Sequence, residues 1–219
     1  MPSIEFYFDY ESPNAYLAWT QLPALAARYG CDIEPVPVLF AGLLEAHGQL
    51  GPAEVPAKSR WMAKNNLRKA VRLGVPLNPP AFHPFNPLLA LRVSSLPLDA
   101  AEQRALIGAL FEAVWVHGLH VADRDVVVRV ADGVGLPGPA LVAAAESPGS
   151  KSRLRAQTDA AIARGVFGVP TMEVRDELFW GYDDFPQLEL VLAGEEPPVD
   201  GAAWRQWSPP PASAERRRR

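Results

Sequence analysis

The chain has 219 residues, 48% of them hydrophobic and 21% charged, which suits one large globular domain and excludes a disordered, collagenous or coiled-coil chain. Twenty-one Lys and Arg against 25 Asp and Glu give a net charge of -4, and without the terminal run Arg216 to Arg219 the body is close to -8, which argues against nonspecific nucleic-acid binding. The single cysteine, Cys31, excludes an internal disulfide, a Cys-x-x-Cys redox pair and a cysteine-based zinc site, so any thiol chemistry needs a thiol brought by a ligand.

Met1 to Asp9 has no basic residue followed by an apolar stretch, and no run approaches 18 apolar residues. The expectation is a soluble cytoplasmic protein with no membrane partner. Ile4 to Phe8 reads as a strand, and Ser12-Pro13 opens a helix, because serine caps the free amides and proline lacks the N–H that would be orphaned there. Apolar spacing carries that helix to Tyr29, where Gly30 stops it, and Pro23 inside it predicts a kink. Ile33 to Phe40 reads as a second strand. Its Pro35 and Pro37 lie two apart and cannot donate to a ladder, which places them on an unpaired sheet edge. Strand, helix and strand make a right-handed βαβ unit.

From about Gly42 to Gly165 the patterns are helical: Lys58 to Leu73, Pro87 to Ser95, Ala100 to Trp115, Asp123 to Gly133, Pro139 to Ala145 and Lys151 to Arg164. Val166 to Val174 is then extended and interrupted by Pro170. Arg175 to Glu177 forms a turn, Leu178 to Gly181 a returning strand, and Asp183 to Leu192 a last helix with an acidic cap. The fold class is therefore α/β, a four-stranded mixed sheet interrupted by a large all-helical insertion. The boundaries are 1–41 and 160–200 for the sheet domain and 42–159 for the insertion, with 201–219 a disordered tail.

Two features bear on chemistry. Ser12 sits at the carboxyl end of the first strand and the amino end of the first helix, where α/β folds place ligands and where amides and the macrodipole favour an anion. A hydroxyl there would stabilise a bound thiolate, as helix N-termini lower cysteine pKa values from ~8.5. In Gly168-Val169-Pro170-Thr171 the proline suggests a cis bond exposing the Val169 backbone to a peptide-like ligand, with Asp183 placed to receive an α-amino group. His117 and His120 lie three apart with no third ligand nearby, so no metal site is expected; His83 lies between Phe82 and Pro84 in a loop.

Ile4 to Ala18 (IEFYFDYESPNAYLA), Val166 to Met172 (VFGVPTM) and Trp180-Gly181-Tyr182-Asp183 together resemble the 2-hydroxychromene-2-carboxylate isomerases and the related kappa-class glutathione transferases. The resemblance spans about residues 3–193 and implies a thioredoxin-like fold. It also implies glutathione as cofactor, a small aromatic or unsaturated substrate, and a homodimer. By it, Ser12 would be catalytic and would hold the glutathione sulfur, while Gln49, Val169, Pro170, Trp180, Gly181, Tyr182 and Asp183 would complete the binding site. The thiolate would add reversibly to an unsaturated carbon of the ring-opened substrate. Asn65 stands where the family has an aspartate, Asp184 where the isomerases have a basic residue, and Leu44 near their substrate-side lysine. The alternatives are a kappa-like transferase that conjugates electrophiles and a non-catalytic thioredoxin-fold binding module.

Overall fold

The computed structural model describes residues 3–195. β1 (Ser3–Phe8) pairs in parallel with β2 (Asp32–Pro37) and antiparallel with β3 (Thr171–Val174), and β3 pairs antiparallel with β4 (Glu177–Trp180). The strand order is β2-β1-β3-β4, so the sheet is mixed and the chain has the expected thioredoxin-like α/β architecture. β2 is an edge strand. Val38 N–H donates to Phe8 C=O at 3.0 Å, which turns the alternate positions, Pro35 and Pro37, away from β1 and onto the open edge.

α1 (Pro13–Tyr29) links β1 to β2 and runs unbroken through Pro23; Gly30, at φ 62°, ends it by returning its N–H to the last turn. Seven α-helices lie between β2 and β3, the first six being α2 (Phe40–His47), α3 (Pro56–Leu73), α4 (Leu88–Ser94), α5 (Ala100–Trp115), α6 (Arg124–Gly133) and α7 (Gly138–Ala145). α8 (Pro148–Ala163) returns the chain to the sheet, and α9 (Phe185–Ala193) closes the described residues.

The second strand is shorter than its sequence suggests. Phe40 opens α2 rather than ending a strand, because Asp9 and Thr158, both distant in sequence, accept from Phe40 N–H and Leu39 N–H at 2.9 and 3.1 Å. The last helix likewise starts later. Tyr182–Asp184 form a single 3₁₀ turn, and Asp183 does not cap α9. The β3–β4 turn needs left-handed backbone at Arg175 (φ 54°) and Asp176 (φ 66°), the two-residue geometry that suits the twist of a hairpin. The tail from 201 lies outside the described residues.

Period-two alternation sorts β1 between two cores. Ile4, Phe6 and Phe8 face α1 and join an aromatic group that includes Tyr10, Trp19 and Phe111. Phe111, on α5, lies 5.5 Å from Phe8 and 4.8 Å from Tyr10 between ring centroids, so sheet and helical block share one apolar cluster. Tyr7 faces the other way, with Val38, Leu43, Ala161 and Val166 under α2 and α8.

That second face carries a charge problem and its solution. Glu5 and Glu173 are direct partners across β1 and β3, where like charges repel. Arg164, just past α8, reaches both, with Nη1 3.1 Å from Glu5 Oε1 and 2.8 Å from Glu173 Oε1. The Tyr7 hydroxyl lies 2.6 and 2.9 Å from the same two carboxylates, and burial together with these acceptors holds its phenol proton far above the usual range. Arg164→Ala is expected to cost about 1–3 kcal/mol in urea unfolding, since it leaves the largely buried Glu173 facing Glu5 without a cation. Adding Glu5→Gln should restore part of that loss; a double variant no more stable than Arg164→Ala would rule out repulsion as the cause.

Candidate active site

The turn Asp9 to Ser12, between β1 and α1, has nearly every polar backbone group committed. Ser12 N–H donates to Asp9 C=O at 3.1 Å, and Glu11 N–H donates to the Asp9 carboxylate at 3.1 Å. Tyr10 C=O accepts from the Trp115 indole at 2.9 Å, and Glu11 C=O lies 2.9 Å from His83 Nε2. The hydroxyl at the end of this turn is thus held by α2 through Asp9, by α5 through Trp115, and by the loop before α4 through His83.

Ser12 caps α1 as its sequence predicts, accepting from Ala15 N–H at 3.1 Å. Its own proton goes to Val169 C=O at 3.3 Å, a long and therefore weak bond that links residues 157 apart in sequence. The Val169-Pro170 peptide is cis. On one side of it Thr171 Oγ1 donates to Gly168 C=O at 2.8 Å; on the other, Gly181 N–H donates to Pro170 C=O at 2.8 Å. Among the described residues, Val169 N–H and Asn14 N–H have no acceptor. Two backbone donors and one weakly engaged hydroxyl therefore meet at the start of α1, where the helix dipole also favours negative charge.

Trp180 is 55% exposed and packs 5.1 Å from Phe167 between ring centroids. A Cβ at Gly168 would stand 2.7 Å from Trp180 Nε1, so glycine is what lets the indole lie against this loop. Gly181, at φ 82°, passes close to the Asn14 side chain. Tyr182 packs on Phe185 at 4.8 Å. Asp183 meets Lys69, whose ammonium is 2.5 Å from Asp183 Oδ2 and 3.1 Å from Asn14 Oδ1. Lys69 is buried while the Asp183 side chain is 65% exposed, so the carboxylate faces outward from a fixed cation.

The structure therefore brings Ser12, Val169, Pro170, Trp180, Gly181 and Asp183 around one place, with Tyr182 beside them. Gln49 follows the cap glycine of α2; its amide donates to Leu44 C=O, and its exposed side chain makes no hydrogen bond to the others. Lys69, Asp9 and Asn14 were not singled out by sequence. Lys69 reads as one cation among many on α3, and only the tertiary structure shows it buried. Among the described residues, no three His, Cys, Asp or Glu side chains gather at metal-ligand spacing, and no helix is long and apolar enough to cross a membrane. A hollow of about 370 Å³ between Tyr29 and α9 lies at the opposite end of α1, whose 17 residues span roughly 25 Å, so it belongs to other chemistry than Ser12.

The DSBA-like thioredoxin domain family matches residues 3–193. The chain belongs to that family. Within it, the chain is 36% identical over 192 residues to 2-hydroxychromene-2-carboxylate isomerase from Sphingobium xenophagum, covering 87% of this chain and 97% of the relative. A solved structure of a 2-hydroxychromene-2-carboxylate isomerase superposes with a TM-score of 0.82 at 31% identity, over 88% of this chain and 95% of that one. Glutathione S-transferase kappa 2 from Caenorhabditis elegans is 27% identical over 211 residues, covering 87% of this chain and 91% of the relative. DsbA-like enzymes that work by a dithiol need paired cysteines at the first helix, and this member has Glu11-Ser12-Pro13-Asn14 there.

Burial pushes the Asp9 carboxyl up to about 7, with the Glu11 charge adding to the rise and the amides of Phe40, Glu11 and Tyr10 opposing it. The folded chain therefore keeps a proton on Asp9 at pH values where the unfolded chain, near 3.8, has released it. The resulting stabilisation is full below that lower value and is lost as pH rises through about 7. Replacing Asp9 by Asn should flatten this dependence. Relative to wild type, Asp9→Asn is expected to gain roughly 2–4 kcal/mol between pH 4 and pH 8 in urea unfolding, and a difference independent of pH would contradict the assignment.

Proposed function

We propose that the protein is a glutathione-dependent isomerase of the 2-hydroxychromene-2-carboxylate isomerase type. The observation that carries this reading is the meeting of the Ser12 hydroxyl with the unpaired Val169 and Asn14 amides at the start of α1. The site suits the tripeptide on features of its own. Val169 offers a backbone N–H and C=O of the kind that pair with an extended peptide, and the outward carboxylate of Asp183 suits an α-amino group.

When bound, glutathione would supply a nucleophilic thiolate for reversible addition to an unsaturated carbon of the ring-opened substrate, and would not be consumed. Ser12 would turn its proton from Val169 C=O toward the sulfur. That exchange is easy because the bond given up is long, and the charge-assisted bond replacing it is stronger. Asn14 N–H and the α1 dipole would add to the stabilisation of negative charge. Lys69 would fix Asp183 and Asn14 on opposite sides of Gly181, so the two ends of the ligand site keep a set spacing. The same reading carries a homodimer in the cytoplasm, where the tripeptide is kept reduced.

The 27% identity to a kappa-class transferase supports a second reading, conjugation of an electrophile with consumption of the thiol. Free thiol counted over many turnovers decides between them: isomerisation of 2-hydroxychromene-2-carboxylate leaves it constant, and conjugation of an aryl halide depletes it. A binding module would bind glutathione and turn over neither.

Ser12→Ala is expected to lower kcat about 100-fold or more and to abolish thiolate absorbance near neutral pH, while the lost cap costs only ~1 kcal/mol of stability. Unchanged turnover at saturating glutathione would defeat the reading. Lys69→Met should raise the glutathione Kd about tenfold in calorimetric titration, with kcat at saturation within threefold of wild type. An unaltered Kd would remove Lys69 from the binding site.

A further inference from the structure

His83 is exposed, yet its ring is fixed on two sides. Nε2 lies 2.9 Å from Glu11 C=O, and the ring packs 5.6 Å from Trp115 and 6.2 Å from Phe85 between centroids. A carbonyl oxygen can only accept, so Nε2 must carry a hydrogen and donate it. That settles the tautomer of the neutral ring: Nδ1 is the basic nitrogen, and it has no partner among the described residues. The imidazole is anchored to the residue immediately before Ser12, with its one exchangeable position open. Behind Phe85 the loop continues with Phe82, 6.0 Å from Phe85 and 4.3 Å from His120 between ring centroids. The charged group facing it is the Glu11 carboxyl from the same turn, whose own pKa burial raises and His83 opposes. α5 presents the Trp115 ring, and the loop after α5 presents His120 across Phe82 and Phe85.

We infer that His83 is a catalytic acid and base on the substrate side of the Ser12 site, exchanging its Nδ1 proton with a carbonyl oxygen of the substrate. This rests on the isomerase reading. With a thiolate bonded to the far carbon of a conjugated ketone, the pair of the carbon–carbon double bond would shift to form a double bond to the carbonyl carbon, and the carbonyl π pair would move onto oxygen. The Nδ1–H bond of the imidazolium breaks and an O–H bond forms. On reversal the neutral ring takes the proton back, so nothing is consumed. Because Nε2 stays bonded to Glu11 throughout, the ring changes charge without changing place.

Glutamine at this position separates catalysis from positioning, because its amide N–H can still donate to Glu11 C=O while it exchanges no proton. For His83→Gln, the expected result is a kcat for 2-hydroxychromene-2-carboxylate lower by about 100-fold, the scale of general acid–base catalysis. The alkaline limb of the kcat–pH profile should vanish with it. The glutathione Kd by calorimetry and the thiolate absorbance should stay within twofold, which also reports that the variant is folded. Nitrogen-15 spectra of the unliganded wild type should show the Nε2-protonated tautomer. A saturated aryl keto-acid should shift the Nδ1 resonance in the presence of glutathione. Retention of kcat within threefold in His83→Gln, or loss of thiolate formation along with turnover, would overturn the assignment, the latter making His83 a support for Ser12. Failure of the wild type to bind glutathione would strike the isomerase reading itself, and a Nδ1-protonated tautomer would strike this inference alone.

Discussion

The site depends on the hydrogen bonding of four residues, Asp9 to Ser12. A turn between a strand and a helix ordinarily satisfies its polar groups with water. Here the turn's own Asp9 carboxyl, with the Trp115 indole and the His83 imidazole from two other parts of the chain, takes over that task. The consequence is a hydroxyl whose position is set by the buried Asp9 and Trp115 and by the ring of His83 rather than by solvent. Precise placement matters because a helix N-terminus favours an anion only within its first turn.

The helical block holds the Ser12 turn by the same route. Phe111 packs into the aromatic group of β1 and α1, and Trp115, one turn further along α5, reaches Tyr10 C=O. The segment between β2 and β3 is thus a support for the Ser12 turn. Lys69 on α3 extends the support to the far side, joining Asn14 to Asp183. Serine in place of a cysteine pair changes what such a scaffold can do. With no sulfur at this turn, disulfide exchange through it is closed, while its hydroxyl and free amides favour negative charge.

Local signals made much of this readable in the sequence. β1 and α1 carry a period-two run, a Ser-Pro start and a glycine stop, and Pro35 and Pro37 mark the sheet edge; the structure has all of these. α5 also falls where its spacing places it. What the sequence hid depends on distant partners. α2 starts at Phe40 because Asp9 and Thr158 cap it, and neither is near it in the chain. Asp183 looks like a helix cap until Lys69 is seen beside it. Gln49 is expected at the site from resemblance alone, since its local sequence carries no physical signal for that role.

Pro35 and Pro37 have an effect beyond marking the margin of the sheet. With their ring nitrogens outward, β2 offers an incoming strand no amide at those two positions. Fibril-like stacking is blocked on that flank, and copies of the chain that meet there must do so through side chains rather than through a continuous ladder.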